Sequence, residues 1–126
     1  MNIPDDLRYS SDHEWIRRDG DVITIGITDY AQDSLGDVVF VEQPEVGQTV
    51  AASDTFTEVE STKSVSDIYA PVSGSISAVN DALESQPELL NSDPYGEGWI
   101  CRITMTDVAE LDALMDAEAY RVLTEG

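Results

Sequence analysis

Cysteine, histidine and lysine are nearly absent from this chain of 126 residues, in which Cys101, His13 and Lys63 are the sole examples of their types. A single cysteine excludes an internal disulfide. One cysteine and one histidine also supply too few ligands for a typical zinc site, so we expect no metal. A Ser–His–Asp or Cys–His catalytic group would have to use His13, and nothing around it resembles a nucleophile elbow. The sequence therefore predicts a protein without catalytic residues of its own.

Long hydrophobic runs are missing too. The longest unbroken apolar run, residues 38–41, is far shorter than the roughly 20 residues of a membrane-spanning helix. Residues 1–10 have neither a basic start nor an apolar stretch, so they do not resemble a secretory signal. With 41% apolar residues, the length fits a single domain, residues 1–126, with a core of ordinary size. We expect a cytoplasmic protein that does not bind membranes.

Positive charge is scarce as well. Twenty-six acidic residues stand against six basic ones, which gives a formal net charge of −20. Nucleic acid and anionic membranes would repel this surface, so neither is an expected partner. The near-absence of lysine favours a halophilic origin over a merely acidic soluble protein. Molar salt shortens the Debye length to about 3 Å, so it would screen the self-repulsion of such an acidic surface. This prediction concerns the habitat and not the biochemical role.

Short apolar runs, punctuated by glycine, proline, aspartate and asparagine, indicate a mostly β protein. Strands are predicted at residues 22–27, 37–42, 55–60, 65–70, 75–80 and 99–105. In the last of these, alternate residues are apolar, which is the two-residue period of a strand. We therefore expect Cys101 on the core face, as a structural residue and not as a reactive thiol.

Helices are predicted to be few and short. A capping box formed by Asp29 and Gln32 begins one helix, and Gly36 ends it. Residues 87–91 fit one helical turn. A second capping box at Asp107 begins a C-terminal helix that packs on the sheet. Its apolar stripe consists of Val108, Leu111, Leu114 and Met115.

The central feature of the sequence is a short polar segment, residues 61–64, between two predicted strands. It suits the tip of a hairpin, although it lacks an Asn-Gly or Asp-Gly turn. A β-sandwich whose halves pair around this exposed turn fits the pattern. The tip contains Lys63, whose primary amine on a flexible stem is the group that forms an amide with lipoic acid. The alternative is an ordinary surface lysine, which the absence of any other lysine makes less attractive.

Residues 60–74, which read ESTKSVSDIYAPVSG, resemble the lipoylation segment of the glycine cleavage H-protein family. The departures are Thr62 and Ser64, where valine and alanine are more usual, and both residues are small. The resemblance covers nearly the full length. Its other segments are HEW at 13–15, GITDYAQ at 26–32, LGDVVFVE at 35–42, PEVG at 44–47, PELLN at 87–91, DPYGEGW at 93–99 and EAY at 118–120.

The resemblance implies a fold, a cofactor and a set of partners. The fold is a barrel-sandwich hybrid of two antiparallel sheets with short helices and a C-terminal helix. The cofactor is lipoic acid, bound covalently as N6-lipoyllysine at Lys63 by a lipoyl-attaching enzyme. A pyridoxal-phosphate glycine decarboxylase would load methylamine onto the arm, a tetrahydrofolate-dependent aminomethyltransferase would unload it, and a dihydrolipoamide dehydrogenase would reoxidise the dithiol. The chain would be a non-catalytic shuttle, and we expect a monomer.

The resemblance also implies a surface cleft that holds the loaded arm, with Glu14 and Asp67 at family positions suited to it. The arm carries a primary amine, cationic at neutral pH, which carboxylates hold by charge-assisted hydrogen bonds. The alternative is that both residues simply solvate the surface, as most acidic residues do. For His13 the sequence favours a packed or hydrogen-bonded position near Trp15.

Other proteins with a modified lysine provide the main alternatives. A lipoyl domain of a 2-oxoacid dehydrogenase favours aspartate just before its lysine, where this chain has Thr62, and the C-terminal helix here would be extra. A biotin carrier has methionines beside its lysine, unlike Thr62 and Ser64. A stand-alone enzyme is disfavoured by the single histidine and by the lack of metal or phosphate motifs. A lipoyl-relay protein, which donates lipoyl groups to other proteins, stays open as a second role.

Overall fold

A computed structural model describes residues 3–125 of the chain. Within them, no helix is long and apolar enough to cross a bilayer. The strands are β1 (Arg8–Tyr9), β2 (Glu14–Asp19), β3 (Val22–Ile27), β4 (Val38–Val41), β5 (Thr49–Val50), β6 (Thr55–Ser61), β7 (Val65–Tyr69), β8 (Gly74–Val79) and β9 (Cys101–Met105). The helices are α1 (Asp29–Leu35), α2 (Ala82–Ser85), α3 (Leu89–Ser92), a 3₁₀ helix (Val108–Ala113) and α4 (Ala117–Glu125).

The strands form two antiparallel sheets. The larger sheet has the order β1-β2-β3-β9-β8-β5, and the smaller one has the order β4-β6-β7. The hairpin of β6 and β7 therefore supplies two of the three strands of the smaller sheet. The prediction of a mostly β protein with two antiparallel sheets, short helices and a C-terminal helix is confirmed.

The main core lies between the two sheets, and the alternation of β9 shows how the sequence builds it. Cys101, Ile103 and Met105 are buried, whereas Arg102 and Thr104 are exposed. Apolar side chains from both sheets join them in one cluster, so that each sheet covers the apolar face of the other. Cys101 is fully buried, as expected for a structural residue.

A second apolar cluster covers part of the other face of the larger sheet, where α4 packs. Trp15 and Tyr120 are fully buried there, and the ring of Tyr120 stacks on Tyr9 at 4.6 Å. Trp15 lies across Gly26, its cross-strand partner, where a Cβ atom would come within 2.5 Å of the indole ring. Gly26 is needed because no larger residue leaves room for this close approach.

Two of the predicted helices differ from the structure, one in its N-cap and the other in its type and its end. Thr28, and not Asp29, is the N-cap of α1, because the Thr28 side chain accepts a hydrogen bond from the amide of Ala31. The predicted helix at 107–115 is the 3₁₀ helix, and the C-terminal α-helix begins later, at Ala117. Met115 is extended instead of helical because its amide and carbonyl both bond to Tyr9, at 2.8 Å each.

Candidate functional site

The tip between β6 and β7 is held by the side chain of Ser61. Its hydroxyl oxygen accepts hydrogen bonds from the amides of Lys63 and Ser64, both at 3.1 Å. The amide of Ser61 donates to the carbonyl of Ser64 at 2.8 Å, which closes the turn. A serine side chain thus fixes a turn that lacks the usual glycine, because it replaces backbone hydrogen-bond partners within the turn.

Lys63 is exposed at this tip, and its stem lies over the end of α1. A Cβ atom at Gly36 would come within 2.9 Å of the Lys63 Cε atom, and Gly36 has a φ of 81°, so glycine suits both the backbone and the contact. The amide of Thr62 donates to the carbonyl of Asp37 at 3.0 Å. The hairpin tip is therefore docked on the connection between α1 and β4.

Asn91, next to α1 in space, holds that connection from the other side. Its side-chain amide donates to the carbonyl of Gly36 at 2.8 Å, and its oxygen accepts from the amide of Val38 at 2.8 Å. These bonds satisfy backbone groups at the end of α1 and at the start of β4. The connection beneath Lys63 is thus fixed by Asn91, which lies 53 positions after Val38 in the chain.

A cleft of about 350 Å³ runs between α1 and β7, and Ser64, the residue after Lys63, forms part of its lining. The walls combine apolar side chains with hydroxyl groups, a carboxylate and the imidazole. They are formed by Asp12, His13, Ile27, Tyr30, Ala31, Ser34, Leu35, Ser64, Val65, Ser66 and Ile68. A flexible, largely apolar group attached to the lysine could lie along this surface.

Glu14 is buried next to the base of the hairpin, with only 1% of its surface exposed. Its carboxylate accepts hydrogen bonds from the Ser10 hydroxyl at 2.6 Å and from the Tyr69 amide at 3.1 Å. Burial raises the pKa of this carboxyl group to about 7, although both hydrogen bonds act in the opposite direction. Glu14 therefore ties β2 of the larger sheet to β7 of the smaller one.

Comparison with known proteins decides the family. A family model described as glycine cleavage H-protein matches residues 7–126. The chain belongs to the glycine cleavage H-protein family. It is 58% identical over 130 residues to a glycine cleavage system H protein of Mycobacterium avium, covering 98% of each chain. It is 57% identical over 125 residues to one from a Shewanella species, covering 98% of this chain and 97% of that protein.

A solved structure agrees with this H-protein assignment. The crystal structure of a glycine cleavage system H protein from Mycobacterium marinum matches with a TM-score of 0.90 at 45% sequence identity, covering 98% of this chain and all of that one. The resemblance noted in the sequence is therefore confirmed over nearly the full length. Membership of this family decides against the lipoyl domain of a 2-oxoacid dehydrogenase and against a biotin carrier.

His13 is hydrogen-bonded, as expected, but it also lines the cleft. Its Nδ1 atom lies 2.7 Å from the hydroxyl of Tyr120, and its ring lies 4.6 Å from that of Tyr30. Burial lowers the pKa of the imidazole, which favours the neutral form. No local pattern indicates the cleft position, because Tyr30 and Tyr120 reach His13 only in the folded chain.

The structure places the two predicted carboxylates in different surroundings. Asp67 is exposed on β7, opposite Glu58 on β6. Glu14 instead lines a smaller pocket of about 210 Å³ together with Ser10 and Pro71. Among residues 3–125, neither carboxylate belongs to the lining of the larger cleft beside Lys63. A role for both in holding an arm stays a prediction.

Proposed function

We propose that Lys63 carries a lipoyl group in amide linkage and that the chain acts as the mobile carrier of a glycine cleavage system. The observation that supports this most directly is the exposed position of the sole lysine at the hairpin tip of an H-protein family member. The amine is accessible to a lipoyl-attaching enzyme, and its neighbours Thr62 and Ser64 are small. The residues present therefore fit the group.

The chemistry comes from the attached dithiolane, which accepts an aminomethyl group derived from glycine and then returns two electrons as a dithiol. The chain itself supplies attachment, positioning and shielding. Ser61 and Gly36 fix the tip and leave room for the lysine stem. The cleft between α1 and β7 lies where a tethered arm can reach it, since Ser64, the residue after Lys63, forms part of its lining.

Glu14 and Asp67 are proposed to hold the cationic amine at the far end of the arm. A nearby cation favours the ionised form of a carboxyl group, so binding would offset the desolvation that raises the pKa of Glu14. Replacing both residues, as Glu14→Gln/Asp67→Asn, should speed the release of ammonia from the glycine-loaded, isolated protein. An unchanged release rate would show that residues other than these two hold the amine.

Three enzymes and an attaching enzyme complete the proposed system. A pyridoxal-phosphate glycine decarboxylase, a tetrahydrofolate-dependent aminomethyltransferase and a dihydrolipoamide dehydrogenase act in turn on the carried group. The chain needs no catalytic residue for this role. A single domain over residues 1–126, the monomeric state, a cytoplasmic location and adaptation to molar salt stay predictions.

Intact mass spectrometry of protein from its native host tests the attachment. We expect one lipoyl adduct on the wild type and none on Lys63→Arg, which keeps the positive charge but cannot form the same amide. A glycine–bicarbonate exchange assay with the decarboxylase should show activity for the lipoylated wild type alone. A lipoyl group that persists in Lys63→Arg, or exchange activity without Lys63, would refute the proposal.

A further inference from the structure

Three of the six basic residues of this acidic chain lie close together at the larger sheet: Arg17 and Arg102 on its outer face, and Arg18 beside them near the end of β2. Arg17, Arg18 and Arg102 line one depression of about 640 Å³, together with Trp99. We name these four residues the arginine patch. Asp19 is the one acidic residue of the lining that the structure describes. A protein of net charge −20 thus has a locally positive surface at this position.

The strand register explains why residues distant in sequence meet here. Arg17 on β2 pairs with Thr24 on β3, which pairs with Arg102 on β9. Directly opposed residues project from the same side of a sheet, so the three side chains form one row across the strands. The Nε atom of Arg102 donates to the Thr24 hydroxyl at 3.3 Å, which supports the row.

Among the residues that the structure describes, no carboxylate forms an ion pair with an arginine of the patch. Arg17 donates to the carbonyl of Tyr95 at 3.0 Å, and Arg18 donates to the carbonyl of Gly20 at 2.9 Å. Within residues 3–125, the ion pair that the structure forms is Arg121 with Asp5. In a chain with 26 acidic residues, three exposed and clustered guanidinium groups keep their charge available to an external carboxylate.

Aromatic rings hold two of these guanidinium groups in place. Arg102 stacks over Trp99 at 4.6 Å from the ring centroid, and Arg17 lies over Trp15 at 5.0 Å. Stacking restricts the long side chains before any partner binds, so less conformational entropy is lost on binding. Arginine and tryptophan are also the residue types that most often dominate the binding energy of protein interfaces.

We propose that the arginine patch docks a carboxylate-bearing surface of one of the enzymes that act on the carried group. This inference rests on the proposed function. A nucleic-acid partner is disfavoured because a long polyanion would also meet the acidic remainder of the chain, whereas a protein can place a few carboxylates opposite the patch. The patch would then orient the carrier, while Lys63 and the hairpin tip stay free to enter the partner's active site.

Saturation kinetics with fully lipoylated protein test this docking surface. The rate of each of the three enzymes is measured against the carrier concentration for the wild type, Arg17→Gln and Arg102→Gln. The matched control is Arg8→Gln, which removes the same charge. Arg8 pairs with Ile16, a core residue, so it projects from the opposite face of the sheet. Thermal unfolding checks that all variants are folded, and both patch arginines are exposed.

We expect at least one patch variant to raise the KM of at least one enzyme by about five-fold or more, with kcat unchanged and Arg8→Gln within about two-fold of wild type. Smaller effects for both patch variants, or an equal effect of Arg8→Gln, would overturn the docking surface while the carrier function stands. A lipoylated wild type that supports turnover with none of the three enzymes would overturn both proposals.

Discussion

Replacing Glu14 with glutamine should remove the part of the pH dependence of stability that this buried carboxyl group causes. Burial raises the pKa of this carboxyl group from 4.5 to about 7 in the folded chain. In the unfolded chain the same group keeps a pKa near its ordinary value. Folding thus favours the protonated form. The resulting contribution to the free energy of unfolding is complete below about pH 4.5 and is lost as the pH rises through about 7. The two pKa values correspond to about 3 kcal/mol, at about 1.36 kcal/mol per pKa unit.

Urea unfolding at about pH 4.5 and about pH 8 measures this contribution. Between these conditions the wild type should lose about 3 kcal/mol relative to Glu14→Gln, because glutamine is uncharged at both. Glutamine can still accept the hydrogen bond from the Ser10 hydroxyl, so the variant should fold. All other carboxyl groups are common to both proteins, and their titration cancels in the comparison.

An exposed glutamate provides the matched control for this prediction. Glu84→Gln makes the same chemical change on α2, where the side chain is solvated, and its stability should follow that of the wild type at both pH values. If Glu14→Gln also follows the wild type in parallel, burial does not control the ionisation of Glu14. This carboxyl group would then link the two sheets without an energetic cost.

Two further predictions concern the core and the surface. Cys101 is fully buried and burial raises the pKa of its thiol to about 12, so a thiol reagent should label it only on unfolding. The variant Cys101→Ala should lose about 1–3 kcal/mol of unfolding free energy. Its exchange activity per folded molecule should stay near that of the wild type. With a net charge of −20, the thermal midpoint should rise from about 0.1 M to about 2 M KCl because screening reduces self-repulsion. A large specific loss of activity in Cys101→Ala would contradict the structural role of the thiol. A flat or falling thermal midpoint in a calorimetric KCl series would contradict the halophilic interpretation.

Local sequence patterns predicted most of the strands of the two sheets and misplaced parts of the helices. The alternation through Cys101 and Met105 is a local property, because each side chain of a strand projects opposite to the next. The predicted helix at 107–115 also follows a local rule, and its Asp107 cap does form. It ends early because Met115 pairs with Tyr9, a contact between opposite ends of the chain that no local pattern contains.

The sequence by itself determined the proposed attachment point. Lys63 is the one lysine of the chain and lies in a short polar turn between two strands, so both the reactive amine and its exposure follow from residues close in sequence. The family also follows from the sequence, since its motifs run along nearly the whole chain.

Only the tertiary structure decided which distant residues meet, beneath that lysine and elsewhere in the fold. The raised pKa of Glu14 requires the amide of Tyr69, 55 residues away, and the burial that both sheets produce together. The support beneath Lys63 requires Asn91 from a distant helix, and the arginine patch requires Arg17 and Arg102 to share one row across three strands. Desolvation and charge clustering depend on groups brought together by folding, so a pattern read along the chain cannot contain them.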